Sequence, residues 1–248
     1  MKTSMSLFGL ALAFLSMSLA AQPPQHTPHW EYTGDDGPAH WSTLAPEFAA
    51  CAGRNQSPID LDNFIEAELP PIAFDYKAGG HDVVNNGHTI QVNYDAGSSI
   101  SIDDDTFALK QFHFHAPSEN HVDGKSFPIE AHFVHVDANG DLAVVAVMFE
   151  QGDSNPALDK LWVGLPGKEG SLQDLSPEIA AADLLPGDRD YYRYEGSLTT
   201  PPCSEGVRWL VLKQPVPVSV EQIDRLTKAL GHPNNRPVQP VGARVVLQ

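Results

Sequence analysis

The chain has 248 residues, with 15 basic against 32 acidic side chains and a formal charge of −17 at neutral pH. So acidic a surface repels phosphate backbones and anionic headgroups, which argues against nucleic acid and membrane surfaces as partners. With 42% hydrophobic residues, the chain can bury a sizeable core within a single β-rich domain.

Residues 1–21, MKTSMSLFGLALAFLSMSLAA, place one lysine before an apolar run and end in small residues at Ser18, Ala20 and Ala21. This is the pattern of a secretory signal peptide cleaved after Ala20 or Ala21. The run is short for a bilayer span, so an uncleaved anchor fits less well. Residues 22–248 then form the mature domain, with no membrane attachment after cleavage. Such a leader points to export, into a periplasm or, as the alternative, by outright secretion. The two cysteines, Cys51 and Cys203, are an even count in an exported chain, which favours a disulfide over two buried thiols.

Strand-like runs follow in order: HTIQVNY, SSISI, KQFHFH, PIEAHFVHV, LAVVAVMFE and VRWLVLK. Each is short, rich in Val, Ile and Phe, and bounded by Gly, Asn or Asp clusters. Helical patterns are few. NPALDKLWVGL (155–165) follows a Ser/Asn cap, and SVEQIDRLTKAL (219–230) has apolar residues at helical spacing before Gly231. No repeat, low-complexity tract or linker divides the chain. These features predict one mainly β domain with a few short peripheral helices.

The run QFHFH places His113 and His115 on alternate residues of a strand, hence on one face, with Gln111 beside them. Taken alone, the pair also reads as two polar residues on a wet sheet face. The next run, PIEAHFVHV, sets Glu130, His132 and Val134 on one face and His135 on the other. Three neutral imidazoles from neighbouring strands, with a fourth position open, is the ligand set of catalytic zinc. Each ligand needs its second nitrogen held, and Gln111 and Glu130 stand two residues before His113 and His132 to do so.

The blocks NNGHTIQV (85–92), QFHFH (111–115), SENHVDG (118–124), EAHFVH (130–135), YEGSLTTPPCSEGVRW (194–209) and NNRPVQP (234–240) occur in this order. Together with HWEY (29–32) and RNQSPI (54–59), they resemble the α-class carbonic anhydrases of the bacterial exported type. The resemblance covers nearly all of the chain after the leader. It implies an α+β, mainly β single domain on a large, mostly antiparallel twisted sheet with peripheral short helices. It further implies a zinc enzyme that hydrates carbon dioxide reversibly to bicarbonate and a proton through zinc-bound hydroxide.

In that resemblance His113, His115 and His132 are the Zn2+ ligands, supported by Gln111, Glu130 and, behind His115, a backbone carbonyl. Thr199 accepts from the nucleophile and donates its proton to Glu119, and Thr200 lines the same wall. Val134, Val144, Leu198, Val207 and Trp209 form the apolar pocket, although read alone each is plain core. Tyr32, Asn86 and Gln91 form the hydrophilic side, and His88 in NNGHT is the proton shuttle, suited by an imidazole that titrates near working pH. Gln91 is a polar swap relative to the best-known animal members, and Ala116 is assigned no role. The substrates are carbon dioxide and bicarbonate, and exported relatives imply a homodimer. Two other readings belong to the same fold: a binding module of weak activity and a zinc esterase.

Overall fold

A computed structural model describes residues 28–248, so the expected leader and its cleavage site lie outside the described residues. The described strands are β1 (Asp60–Leu61), β2 (Ala73–Asp75), β3 (Ala78–Asn85), β4 (Ile90–Tyr94) and β5 (Ser99–Ile102). They continue with β6 (Asp105–His115), β7 (His121–Val122), β8 (Ile129–Val136) and β9 (Leu142–Gln151). The last four are β10 (Leu172–Ala180), β11 (Tyr191–Ser197), β12 (Glu205–Leu212) and β13 (Val216–Val218). The short β1 and β7 pair with each other. The other eleven make one sheet in the order β10-β3-β4-β6-β8-β9-β12-β11, with β5 and β2 continuing from β6 and β13 lying beside β9.

Neighbours run antiparallel except where β9 meets β12 and β13. The expected large, mostly antiparallel sheet is therefore present, as a mixed sheet. All six strand-like runs of the sequence fall on strands. In β9 every residue from Ala143 to Phe149 is buried, because apolar layers cover both faces of the sheet. One layer gathers Phe112, Phe114, Phe133, Val145 and Val147 with the helix residues Leu158, Leu161 and Leu226. The opposite layer holds Val144, Ala146, Met148, Val207, Trp209 and Val211. Alternation along β6 and β8 puts His113, His115 and His132 on the second side.

Helices are few and short: α1 (Trp41–Leu44), α2 (Pro156–Leu161) and α3 (Val220–Leu230). The last begins in a capping box between Ser219 and Gln222 and ends at Gly231, whose φ of 79° suits glycine. Asn155 caps α2 by accepting from the N–H groups of Ala157 and Leu158. That helix stops earlier than the sequence predicts, passing into a 3-10 turn over Trp162–Gly164. Pro166 accounts for the end of helical backbone at Gly164, since it disfavours that backbone at Leu165, whose ψ is 125°.

His135, on the face away from the other three histidines, is a satisfied core residue. Its Nδ1 donates to the Ala143 carbonyl at 3.2 Å, and its Nε2 accepts from the Tyr76 hydroxyl at 2.7 Å. An N-terminal cluster of Trp30, Tyr32, Trp41 and Phe48 packs around a Cys51–Cys203 disulfide. The expected pairing thus forms, closing a sequence separation of 152 residues. It ties this cluster to the turn after Thr200, whose carbonyl accepts from the Cys203 N–H at 2.8 Å.

Two expectations follow. On loop-closure entropy the disulfide is worth about 3–5 kcal/mol, so reduction should lower the unfolding midpoint by roughly 10 °C. Thiol titration of the denatured, unreduced protein, which should find none, and melting with and without reductant check this. Burial pushes the pKa of His135 down to about 4 from 6.5, against the pull of the Ala143 and Phe133 carbonyls. The unfolded chain therefore binds this proton first, and stability is full above about pH 6.5 and falls towards pH 4 by about 3 kcal/mol. His135→Gln keeps an acceptor for Tyr76 and should flatten that decline, as urea midpoints compared at neutral and acid pH would show.

Candidate active site

Strand register builds the centre of the site. On paired β6 and β8, His113 lies opposite His132 and His115 opposite Glu130. The three imidazoles each offer one nitrogen, and these atoms lie within 4.8 Å of one another. Which nitrogen each offers follows from what holds the other. His113 Nδ1 donates to Gln111 Oε1 at 2.8 Å, and His115 Nδ1 to the Asn234 carbonyl at 2.7 Å. Amide and carbonyl oxygens only accept, so the protons sit on Nδ1 and both Nε2 lone pairs point inward. His132 is reversed. Its Nε2 lies 2.9 Å from Glu130 Oε1, at an angle short of a well-formed hydrogen bond, and Nδ1 faces the cluster.

The imidazoles are held neutral. Burial pulls His113 and His132 well below the usual imidazole range, and the neighbouring rings add to it. His115 is lowered too, mainly by burial. The buried Nε2 of His115 has no hydrogen-bond partner, a costly state unless a Lewis acid takes the lone pair. Three convergent neutral nitrogens without a donor among them fit a divalent transition metal such as zinc.

Two carboxylates lie beneath. Glu130 accepts from the Glu119 N–H, the Asn120 N–H and the Asn120 side-chain amide at 2.7, 2.8 and 2.7 Å. Glu119 Oε1 accepts from the Arg236 N–H at 2.8 Å. Its Oε2 lies 3.4 Å from His115 Nε2 and lacks a hydrogen bond. Burial pushes the Glu119 pKa up to about 8, opposed by the Arg236 N–H and the nearby Thr199 hydroxyl. The loop carrying buried Thr199 is anchored at Ser197, whose carbonyl accepts from Trp209 Nε1 at 3.0 Å and whose Oγ accepts from the Ser57 N–H at 2.9 Å.

Above the imidazoles opens a cavity of about 140 Å³, whose lining includes Tyr32, Asn86, His88, Gln91, Gln111 and Thr200. A larger cleft of about 410 Å³ beside α3 carries no histidine or carboxylate. On the other side of His132, Val144, Val207 and Trp209 belong to one buried cluster, with Val134 and Leu198 packed against it. The Trp209 ring meets His132 edge-on at 4.9 Å. His88 is half-buried and stacked on Trp30 at 3.8 Å, with no partner for its buried Nδ1. Burial lowers its pKa, while Glu31 and Glu169 oppose the shift.

Of the residues expected from the sequence, Tyr32, Asn86, His88, Gln91, Gln111, His113, His115 and Thr200 line one cavity. Glu119, Glu130, His132 and Thr199 are buried outside its lining, and the five apolar residues lie in or against the separate cluster that meets His132. Sequence reasoning missed Asn234 and Arg236. Asn234 holds His115 through its carbonyl, and its side-chain amide donates to the carbonyls of His88 and Phe114 at 3.0 and 2.9 Å. Arg236 is buried, its guanidinium donating to Gln56 Oε1, the Ser57 carbonyl and the Cys51 carbonyl. Their signal lies in the block NNRPVQP, which carries the family likeness without pointing to a contact for either residue.

Comparison with known proteins agrees with this geometry. The family model described as eukaryotic-type carbonic anhydrase matches residues 36–248. A carbonic anhydrase of Pectobacterium atrosepticum is 48% identical over 88% of this chain and 90% of its own. One of Neisseria gonorrhoeae is 48% identical over 96% and 94%. Among solved structures, the α-carbonic anhydrase from Thermovibrio ammonificans, in complex with the inhibitor sulfanilamide, superposes with a TM-score of 0.88 at 50% identity, covering 90% of this chain and all of that one. Likeness of that extent in both sequence and fold leaves one assignment: the chain belongs to the eukaryotic-type, or α, carbonic anhydrase family.

Proposed function

We propose that the chain catalyses the reversible hydration of carbon dioxide to bicarbonate and a proton, with His113, His115 and His132 holding a zinc ion. The observation that carries this reading is the convergence of three neutral imidazole nitrogens, two of them with their outer nitrogen hydrogen-bonded to an acceptor and the third facing a carboxylate. Bound there, zinc supplies a strongly acidified water as nucleophile, the long-established chemistry of this family. The remaining tasks fall to the chain.

Gln111, the Asn234 carbonyl and Glu130 keep the ligand rings in the tautomer that turns a lone pair inward. Burial alone would keep Glu119 protonated at pH 7, and the charge of a zinc ion held by the neighbouring imidazoles would favour its carboxylate. That carboxylate can only accept, so it takes the Thr199 hydroxyl proton and leaves the Thr199 oxygen as an acceptor towards the reacting water. That polarity orients the nucleophile and disfavours anions with no proton to give. Carbon dioxide is apolar and takes the wall of Val134, Val144, Leu198, Val207 and Trp209. Thr200, Tyr32, Asn86 and Gln91 face the water-filled side. His88 carries away the proton, and its lowered pKa keeps it neutral and ready to accept at pH 7.

Related domains that serve as binding modules can lose such histidines, and the convergence of His113, His115 and His132 argues against that reading. Esterase action at the same centre would be a side activity. Among the described residues no helix is long and apolar enough to cross a membrane. The disulfide supports the export expected from the leader.

Two measurements test the reading. His132→Ala should lose most bound zinc and nearly all hydration activity, while His135→Ala should retain its zinc. Gln111→Ala should weaken zinc binding by about 10–100-fold. Metal analysis of the purified variants with stopped-flow hydration checks this, and full zinc occupancy in His132→Ala would overturn the ligand set. His88→Ala should lower kcat on the order of 10-fold to 100-fold and leave kcat/KM nearly unchanged, because proton loss follows bicarbonate release. Added imidazole buffer should restore kcat. An equal, buffer-independent fall in both parameters would show that His88 shapes the site instead of carrying protons.

A further inference from the structure

The sheet face that carries the imidazoles continues beyond the cavity as a row of polar side chains. Across β4 and β6, Gln91 lies opposite His113 and Asn93 opposite Gln111. Across β3 and β4, Asp82 lies opposite Asn93. Gln91 Nε2 donates to Asn93 Oδ1 at 2.7 Å, and Asn93 Nδ2 donates to Asp82 Oδ1 at 2.6 Å. Asp82 lies outside the cavity lining, its side chain 13% exposed, with Oδ2 at 3.2 Å from His81 Nε2. The other nitrogen of His81 lies 3.3 Å from Asp95 Oδ1.

The order of donors in this row is forced. The two ends of a carboxamide are alike in size and opposite in hydrogen-bonding character, so an isolated Asn or Gln has no preferred flip. A carboxylate only accepts. Asp82 therefore demands the amino end of Asn93, which turns the Asn93 oxygen to Gln91. Gln91 must then spend its own amino end on Asn93, and the carbonyl oxygen Oε1 is the end left for the cavity.

The other two cavity amides are committed the opposite way. Asn86 Oδ1 accepts from the N–H groups of His88 and Thr89, and Gln111 Oε1 accepts from His113. Both leave their amino ends free. Gln91 thus adds a carbonyl acceptor to a wall where its two fellow amides offer donors.

We propose that Asp82 is a positioning residue for proton transfer: acting through Asn93, it locks Gln91 with its carbonyl oxygen towards the cavity waters shared by His113 and His88. A locked acceptor gives those waters one direction of donation, where a freely flipping amide would give two. The link to catalysis rests on the reading of His88 as the proton carrier.

The test is a swap. Asp82→Asn replaces the only obligatory acceptor and frees the whole row to flip. The double variant Asp82→Asn/Asn93→Asp moves the carboxylate one place along. The new amide at 82 then donates to the new carboxylate at 93, which still accepts from Gln91 Nε2. The Gln91 side-chain amide is read by proton–nitrogen NMR of the zinc-loaded protein. It should give a dispersed, slowly exchanging pair in the native protein and in the double variant, and an averaged, fast-exchanging pair in Asp82→Asn. Asp82→Asn should also lower kcat by about fivefold, the worth of one neutral hydrogen bond, with kcat/KM unchanged, and the double variant should recover kcat.

A Gln91 amide in Asp82→Asn that matches the native one overturns the proposal. So does a double variant that stays in the averaged state, as it would if Asp82 served only to pair with His81. An averaged amide with unchanged kcat overturns the link to proton transfer. Since the amide is read in the resting protein, its result is separate from the His88→Ala kinetics that test the underlying reading.

Discussion

Three imidazoles can share one cation only if each stays neutral and turns a particular nitrogen inward, and the rest of the site answers that requirement. Three different acceptors meet it: an amide oxygen, a main-chain carbonyl and a carboxylate. The amide and the carboxylate are local, two residues before the ligand on the same strand face. The carbonyl comes from residue 234, so the C-terminal segment must pass behind β6 before His115 is held. Glu130 is itself expensive to bury as a charge, and its three hydrogen bonds from Glu119 and Asn120 offset that cost. The same bonds fix the loop that presents Glu119. The carboxylate beside His132 thus also places Glu119.

A second buried charge organises the wall of the cavity. Arg236 spans the N-terminal segment, donating to the Gln56 side chain and to the carbonyls of Ser57 and Cys51, with its guanidinium 5.4 Å from the Trp41 ring. Its own N–H holds Glu119. Burial lowers its pKa to about 10, opposed by Glu119, so it remains a cation at neutral pH. The cluster around Trp30, Tyr32 and Trp41 is joined to the sheet by this residue and by the disulfide. The mouth of the cavity and its carboxylate floor therefore share a support.

Much of this was legible in the sequence because strand parity is a local rule. Alternation in QFHFH and EAHFVH put three histidines on one side and His135 on the other, and the capping residues gave both ends of α3. Legibility ended where long-range packing decides. In β3, Gly79 and Gly80 disguise a strand, and a side chain at Gly80 would press on the Ile179 carbonyl and Val92 at 3.0 Å. The edge strand β10 is mostly exposed and contains Pro177, so it shows neither alternation nor an apolar run. The carbonyl behind His115 has no signature, since every residue carries one. The order of donors from Asp82 to Gln91 needs the β3–β4 register, which residues alone do not give.

Asn234 links two histidines to which the proposed function gives separate tasks. Its carbonyl receives the His115 proton, and its side chain bonds the carbonyls of His88 and Phe114 and the N–H of Ala116. One of the three clustered imidazoles and the proposed proton carrier therefore hang from a single anchor. The two contacts use different parts of Asn234, the main-chain carbonyl for His115 and the side-chain amide for the His88 carbonyl. A change of side chain at 234 therefore removes the support of His88 while the support of His115 remains, so the two histidines are separable at the residue that joins them.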